Sequence, residues 1–130
     1  MANYKDIKLT VKKRKEGDKE PSFSTHEFFG RPLGSTSRLL KDDKGQSYIA
    51  SVRIFESNYN SSIDREVQNY LVHVAYIEAG GIKKAGFVHN LSLNFEEIRS
   101  ELIKSDLYPG PYFSDAVYEA LESRNHSGQD

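Results

Sequence analysis

The residues with the most obvious capacity for chemistry are four histidines, His26, His73, His89 and His126. Two imidazoles can divide acid and base duties between them, as in RNA cleavage, because small environmental shifts move either ring across neutral pH. The spacing argues against such a pair. His73 and His89 sit on the two arms of a hairpin whose tight turn reads as Gly80-Gly81, a pair that accepts positive φ. A two-residue turn there sets Tyr76 opposite Ala85, Val74 opposite Phe87, Val72 opposite His89 and Tyr70 opposite Leu91. His73 and His89 then project from opposite faces and cannot flank one scissile bond. His89 shares its face with Phe87 and Leu91 and reads as a core histidine, while His73 lies with Leu71, Ala75 and Ile77.

Anion chemistry has one candidate, Gly30-Arg31-Pro32-Leu33-Gly34-Ser35-Thr36-Ser37, with Arg38 following. Its glycine spacing is one residue short of a phosphate-binding P-loop, and the lysine is absent. It reads as a connecting loop, the usual meaning of clustered Gly, Pro and Ser. A phosphate-chemistry enzyme would have to use Arg31, Arg38 and either His26 or His73. No nucleophile elbow occurs. Carboxylates adjoin as Asp42-Asp43, in a turn, and as Glu96-Glu97, at a helix start. The chain has no cysteine, which excludes disulfides, thiolate catalysis and cysteine-ligated zinc. Neither H-E-x-x-H nor a calcium loop is present, so no catalytic residue, metal or cofactor is expected.

Recognition chemistry is better represented. Eight tyrosines and seven phenylalanines stand against no tryptophan. Tyrosine offers a rigid apolar ring and a hydroxyl, which suits binding surfaces. Tyr59 falls in a polar stretch read as a loop over 57–64, and Tyr108 and Tyr112 flank Pro109-Gly110-Pro111. With Glu119 and Glu122 on an acidic C-terminal helix, these tyrosines are the expected contacts for a protein partner. Residues 94–130 carry eight acids against three cations, so that partner would be basic, such as a nucleic-acid-handling enzyme. Residues 1–15 have the reverse balance, six cations against one acid. Lys12, Lys13, Arg14 and Lys15, joined by Lys83 and Lys84 if the sheet edges meet, form an alternative nucleic-acid track. The net charge of -1 weighs against that alternative.

These residues need elements to position them. Ile7, Leu9 and Val11 alternate with Lys8, Thr10 and Lys12, the pattern of a half-buried strand with a lysine-guarded edge. Ser24-Thr25-His26-Glu27 matches a capping box and predicts a short helical turn through Phe28-Phe29. Asp42-Asp43-Lys44-Gly45 predicts a turn, and Tyr48, Ala50, Val52 and Ile54 share one face of the strand after it. Val67–Glu78 and Lys83–Leu93 form the hairpin. Asn94 caps a helix whose Phe95, Ile98 and Leu102, joined by Ile103, make one stripe. Ser114 caps a second helix, with Phe113 and Tyr118 as its hydrophobic staple and Val117, Ala120 and Leu121 inside.

Strands first and helices last predict an α+β domain, an antiparallel sheet of four or five strands with two C-terminal helices packed on one face. The 130 residues suit a single domain over 1–123, with 124–130 expected to be a disordered tail. The longest apolar run, Val74–Ile77, is far too short to cross a membrane. No signal-peptide pattern is seen, so the sequons at Asn60, Asn90 and Asn125 read as coincidence and the expected location is cytoplasmic. No stretch carries a family signature. The reading is a small intracellular protein-binding module, an inhibitor, immunity-type factor or adaptor, and not an enzyme. A symmetric homodimer through the tyrosine-bearing loops stays open as a further arrangement.

Overall fold

In β1 (Lys5–Lys13) every second residue from Ile7 to Val11 is apolar, and Ile7, Leu9 and Val11 are buried. The computed structural model describes residues 5–13, 22–60 and 66–127, with side chains at all of these except 13, 22, 58–60, 66–69 and 125–127. Four further strands follow β1: β2 (Ser22–Lys41), β3 (Ser47–Asn60), β4 (Glu66–Glu78) and β5 (Gly81–Asn90). Then come α1 (Phe95–Lys104), a 3₁₀ turn (Pro111–Phe113) and α2 (Ser114–Ser127). Each strand is antiparallel to the next, and a pairing of Lys12 with Ala85 closes the sheet into a barrel. The helices pack against the sheet, so the α+β architecture is as the order of elements predicts.

β2 departs most from expectation. It is one strand of 20 residues, without the helical turn at Ser24–Phe29 or the loop at Gly30–Ser37. Its first half pairs with β1 over nine positions, Leu9 opposite His26 and Ile7 opposite Phe28 among them. A helix cap contributes only about 1 kcal/mol, and a nine-position ladder with β1 outweighs it. Its second half pairs with β3 from Gly30 to Lys41. The two ladders meet at Gly30, and just beyond it, at Pro32, which has no N–H to give, the register shifts between Pro32 and Gly34. This bulge turns Leu33 into the core beneath the helices. At Gly34 a Cβ would lie 2.4 Å from the Ala116 carbonyl oxygen and 2.7 Å from the Ala120 nitrogen. The bare backbone is therefore what lets α2 approach the strand.

The Asp42–Gly45 turn forms as predicted, with Gly45 at φ 80° and the Asp42 carboxylate accepting from the Lys44 and Gln46 amides. β3 and β4 stay paired through Asn60 and Glu66, so 57–60 belong to the sheet rather than to a polar loop. The β4–β5 register corrects the expected one. Glu78 pairs with Gly81, which places the turn at Ala79-Gly80, and a bulge opposite Tyr76 and Ile77 then brings Tyr76 opposite Lys84. Gly81, at φ 123°, spends its freedom inside the strand rather than in the turn. The displacement of one residue exchanges faces. His73 pairs with Phe87 and His89 with Leu71, so the two histidines share one face instead of opposing each other.

β3 and β4 contribute to a core on each of their faces. On one side Val52, Ile54, Val72 and Val74 meet Ile98, Leu102, Phe113, Val117 and Ala120 from the helical segment. On the other, Ile7, Leu9, Phe55 and Leu71 fill the barrel, with Phe28 and Phe87 against them. Asn94 caps α1 as expected, its side-chain oxygen accepting from the Glu97 amide at 3.0 Å. Ile103 does not join the stripe and is exposed. Tyr118 is also exposed, so the staple is missing; Phe113 stacks on Phe95 instead, ring centroids 4.6 Å apart. α2 continues through Ser127, beyond the expected domain limit at 123, and Arg124 donates to the Tyr70 hydroxyl at 3.3 Å.

The close approach at Gly34 is directly testable. Gly34→Ala should destabilise the fold by about 2–3 kcal/mol, the range for overpacking against backbone that cannot yield. Urea unfolding of the two proteins checks this, and equal stability would show that α2 does not sit on Gly34.

Candidate functional site

Pairing across four strands sets the side chains of the face opposite the helices into rows. One row is Leu39, Ile49, Ile77 and Ile82; the next is Ser37, Ser51, Ala75 and Ala85; a third is Ser35, Arg53, His73 and Phe87. On the β4–β5 side these rows are largely covered, with Ala75, Ala85 and His73 buried. On the β2–β3 side they are open: Ser35, Ser37 and Arg53 are exposed, and Leu39 and Ile49 are 72% and 42% exposed. The first half of β2 leaves this face to pair with β1. Half of the barrel interior is thus core and the other half is surface.

His73 marks the boundary between the two. It is 2% exposed, and its Nε2 lies 2.9 Å from the Thr10 carbonyl oxygen. A carbonyl can only accept, so the proton sits on Nε2 and Nδ1 carries a lone pair. Arg53 Nη2 donates to that lone pair at 3.3 Å. The ring is held neutral: burial pushes its pKa below 6.5, the Thr10 bond opposes this, and the Arg53 charge reinforces it. Partial burial also lowers the Arg53 pKa from its ordinary value. The Arg53 guanidinium lies over the Phe55 ring, 5.7 Å from its centroid.

Beside Arg53 a cleft of about 530 Å³ opens where β2 bulges, between the start of β1 and the C-terminal half of α2. Ile7, Leu33 and Phe55 are its apolar walls, and Lys5, Ser35, Arg53 and Glu119 are among its polar groups. Sequence reasoning missed Arg53 altogether. Its only signal was a cation between Val52 and Ile54 in a strand, and the wrong hairpin register hid its neighbour.

The residues expected to bind a partner are dispersed. Tyr108 is half-buried against Phe113, 5.7 Å between ring centroids. Tyr112 is half-buried with Arg38 above its ring, and burial pushes its phenol pKa up. Its hydroxyl is buried without a hydrogen-bond partner among the described residues. Both tyrosines therefore serve packing more than display. Glu119 and Glu122 are exposed on α2. Tyr59 belongs to β3, but its side chain lies outside the described residues.

Barrel closure does bring Lys12 to the β5 strand that carries Lys83 and Lys84. Each is engaged by its own chain. Lys12 donates to the Ile82 carbonyl and lies over the Phe23 ring, Lys83 pairs with Glu78 at 3.3 Å, and Lys84 pairs with Asp106 at 2.8 Å. Arg14, Lys15 and the Lys13 side chain lie outside the described residues. Arg31 and Arg38 do not converge either. Arg31 is buried with Glu56 at 3.1 Å, and Arg38 pairs with Asp115 at 2.8 Å. Their β3 partners, Glu56 and Ala50, are six positions apart, roughly 20 Å along a strand. The Gly30–Ser37 amides lie in a paired strand rather than a phosphate loop.

His26 and His89 do come together, ring centroids 6.1 Å apart, with Phe87 stacked on His26 at 4.3 Å. Burial, and then the neighbouring His26, lower the His89 pKa. Among the described residues no three His, Asp or Glu side chains gather to hold a metal, and no helix is long and apolar enough to cross a membrane. No protein-family model matches the chain, and searches of curated proteins and solved structures find no similar protein.

The neutral burial of His73 has a consequence with a definite sign. Its pKa is lower in the folded chain than in the unfolded one, so protons bind preferentially to the unfolded state. Its contribution is intact above about pH 6.5, the unperturbed value, and is lost as pH falls through the depressed folded value. His89 acts in the same direction. Chemical denaturation across pH 8 to 5 should show stability falling on the acid side, and His73→Gln should show a shallower fall. Equal slopes would mean that His73 is not held neutral.

Proposed function

We propose that this protein is a small cytoplasmic protein-binding module, of inhibitor, immunity or adaptor type, that acts by occluding a partner's surface. The observation that carries the reading is the aliphatic row Leu39, Ile49, Ile77 and Ile82, exposed at Leu39 and Ile49 and half-buried at Ile77 and Ile82. Single exposed apolar residues are ordinary on a monomer, but a contiguous row spanning four strands is the kind of surface that partners cover.

Charge selects the partner's chemistry. Lys41 shares the face of Leu39 by strand alternation, and Arg53 lies two positions from Ser51 and four from Ile49 on that same face. The complement is an apolar ridge flanked by carboxylates. A basic partner for the helices is less well supported, since Asp115, Glu96, Glu101 and Asp106 already pair with Arg38, Arg99, Lys104 and Lys84. The meeting of β1 and β5 favours a second reading, nucleic-acid binding at the basic closure. The intramolecular partners of Lys12, Lys83 and Lys84 reduce its weight.

The test compares capture from nuclease-treated lysate of the source cells by the wild-type chain and by a Leu39→Asp/Ile49→Asp variant. The expected result is one stoichiometric protein that binds the variant at least about tenfold more weakly, as for loss of central apolar contacts. Equal capture by both would overturn the assignment of this face. Capture only without nuclease, falling steeply with salt, would transfer the function to the basic closure.

A further inference from the structure

We infer that the cleft beside Arg53 is a binding site for a small organic monocarboxylate with an apolar body. This inference goes beyond the protein-binding reading: it rests on the cleft and not on the aliphatic row, and shares with that reading only the Arg53 guanidinium.

Size is the first argument. A volume of about 530 Å³ falls within the range of roughly 300–1,000 Å³ typical of small-molecule sites. Construction is the second. The cleft exists because β2 bulges at Pro32–Gly34, and its apolar walls Ile7, Leu33 and Phe55 are themselves buried in the two cores. Its shape is therefore held by packing and needs no ligand to form it.

Charge is the third. Arg31, Arg38 and Arg99 each have a carboxylate partner. Arg53 has none among the described residues; its hydrogen-bond partner is the neutral Nδ1 of His73, which can fix the guanidinium but cannot neutralise it. The Phe55 ring beneath it limits its movement further. A positioned guanidinium with N–H donors still to be used is suited to a carboxylate, which accepts two parallel bonds from its edge. Ser35, two strand positions from the bulge, adds a hydroxyl, and Lys5 adds a second cation at the rim. Glu119 on α2 supplies the selectivity: a negative charge on the same cleft opposes a second anionic group on the ligand. The apolar walls require that the remainder of the molecule be hydrophobic.

The probe is benzoate, titrated into the isotope-labelled full chain and followed by amide NMR shifts, with benzyl alcohol as its uncharged counterpart and phthalate as its dianionic one. Saturable shifts confined to the amides around the cleft, residues 5–7, 33–35, 53–55 and 119–123, are expected with benzoate, at least tenfold weaker binding with benzyl alcohol, and weaker binding with phthalate. Arg53→Gln should lower benzoate affinity at least tenfold. Because Arg53 also touches His73, a second variant, Ser35→Trp, fills the cleft from an exposed strand position and should abolish the same shifts in a chain whose other amides are unmoved. Glu119→Gln should narrow the difference between benzoate and phthalate. The inference fails if benzyl alcohol binds as well as benzoate, if the shifts fall elsewhere, or if Ser35→Trp leaves them in place. Phthalate binding more tightly than benzoate to the wild-type chain would overturn the monoanion assignment.

Discussion

The structure depends on one strand pairing with two partners. β2 pairs with β1 along its first half and with β3 along its second, the two ladders meeting at Gly30. Pro32 and the bulge at Leu33 bend the strand just beyond the point where its partner changes. Closure of the barrel, the seat of α2 on Gly34 and the cleft beside Arg53 all follow from that bend. So does the division of the inner sheet face into a covered half and an open half, since the strand that could have roofed Leu39 and Ile49 is drawn away to β1.

The polar groups inside the molecule follow the same geometry. A closed sheet of five strands is too small to bury a charge without a partner, and the Glu56 carboxylate and the His73 imidazole each have one. Arg31 meets Glu56 directly across the β2–β3 ladder, and the pair is almost wholly out of solvent. His73 solves a different problem. The barrel closes through Lys12 and Ala85, and the imidazole satisfies the nearby Thr10 carbonyl from across the seam. One ring thus ties β4 to β1 with one nitrogen and holds Arg53 with the other, joining the stability of the closure to the electrostatics of the open face.

Much of the fold was legible because local patterns and burial agree there. The alternation of β1, the Asp42–Gly45 turn, the shared face of Ala50, Val52 and Ile54, and the Asn94 cap each depend on residues close in sequence. The misreadings occur where a distant partner overrides a local preference. The capping box at Ser24–Glu27 lost to pairing with β1, and the Gly-Pro-Ser run at 30–37 became the bent middle of a strand. In the hairpin, Gly80-Gly81 marks the turn correctly to within one residue, and that one residue decides which face each histidine occupies. Hence the candidate site was the least legible part. Tyr108 and Tyr112 were chosen for their proline-rich surroundings, whereas packing on Phe113 and beneath Arg38 occupies them.

By itself the amino-acid sequence determined the class of the domain, strands before helices, and which positions are apolar enough to be buried. Periodicity and caps are encoded within a few residues, so they survive without knowledge of the partner strand. The tertiary structure alone decided that β2 is continuous, that the sheet closes, and that Arg53, His73 and Thr10 meet across three strands. Those outcomes depend on register and on competition between distant partners for the same main-chain groups. A single inserted residue at a bulge reverses every face beyond it, and no local pattern records which side the displaced residues will take.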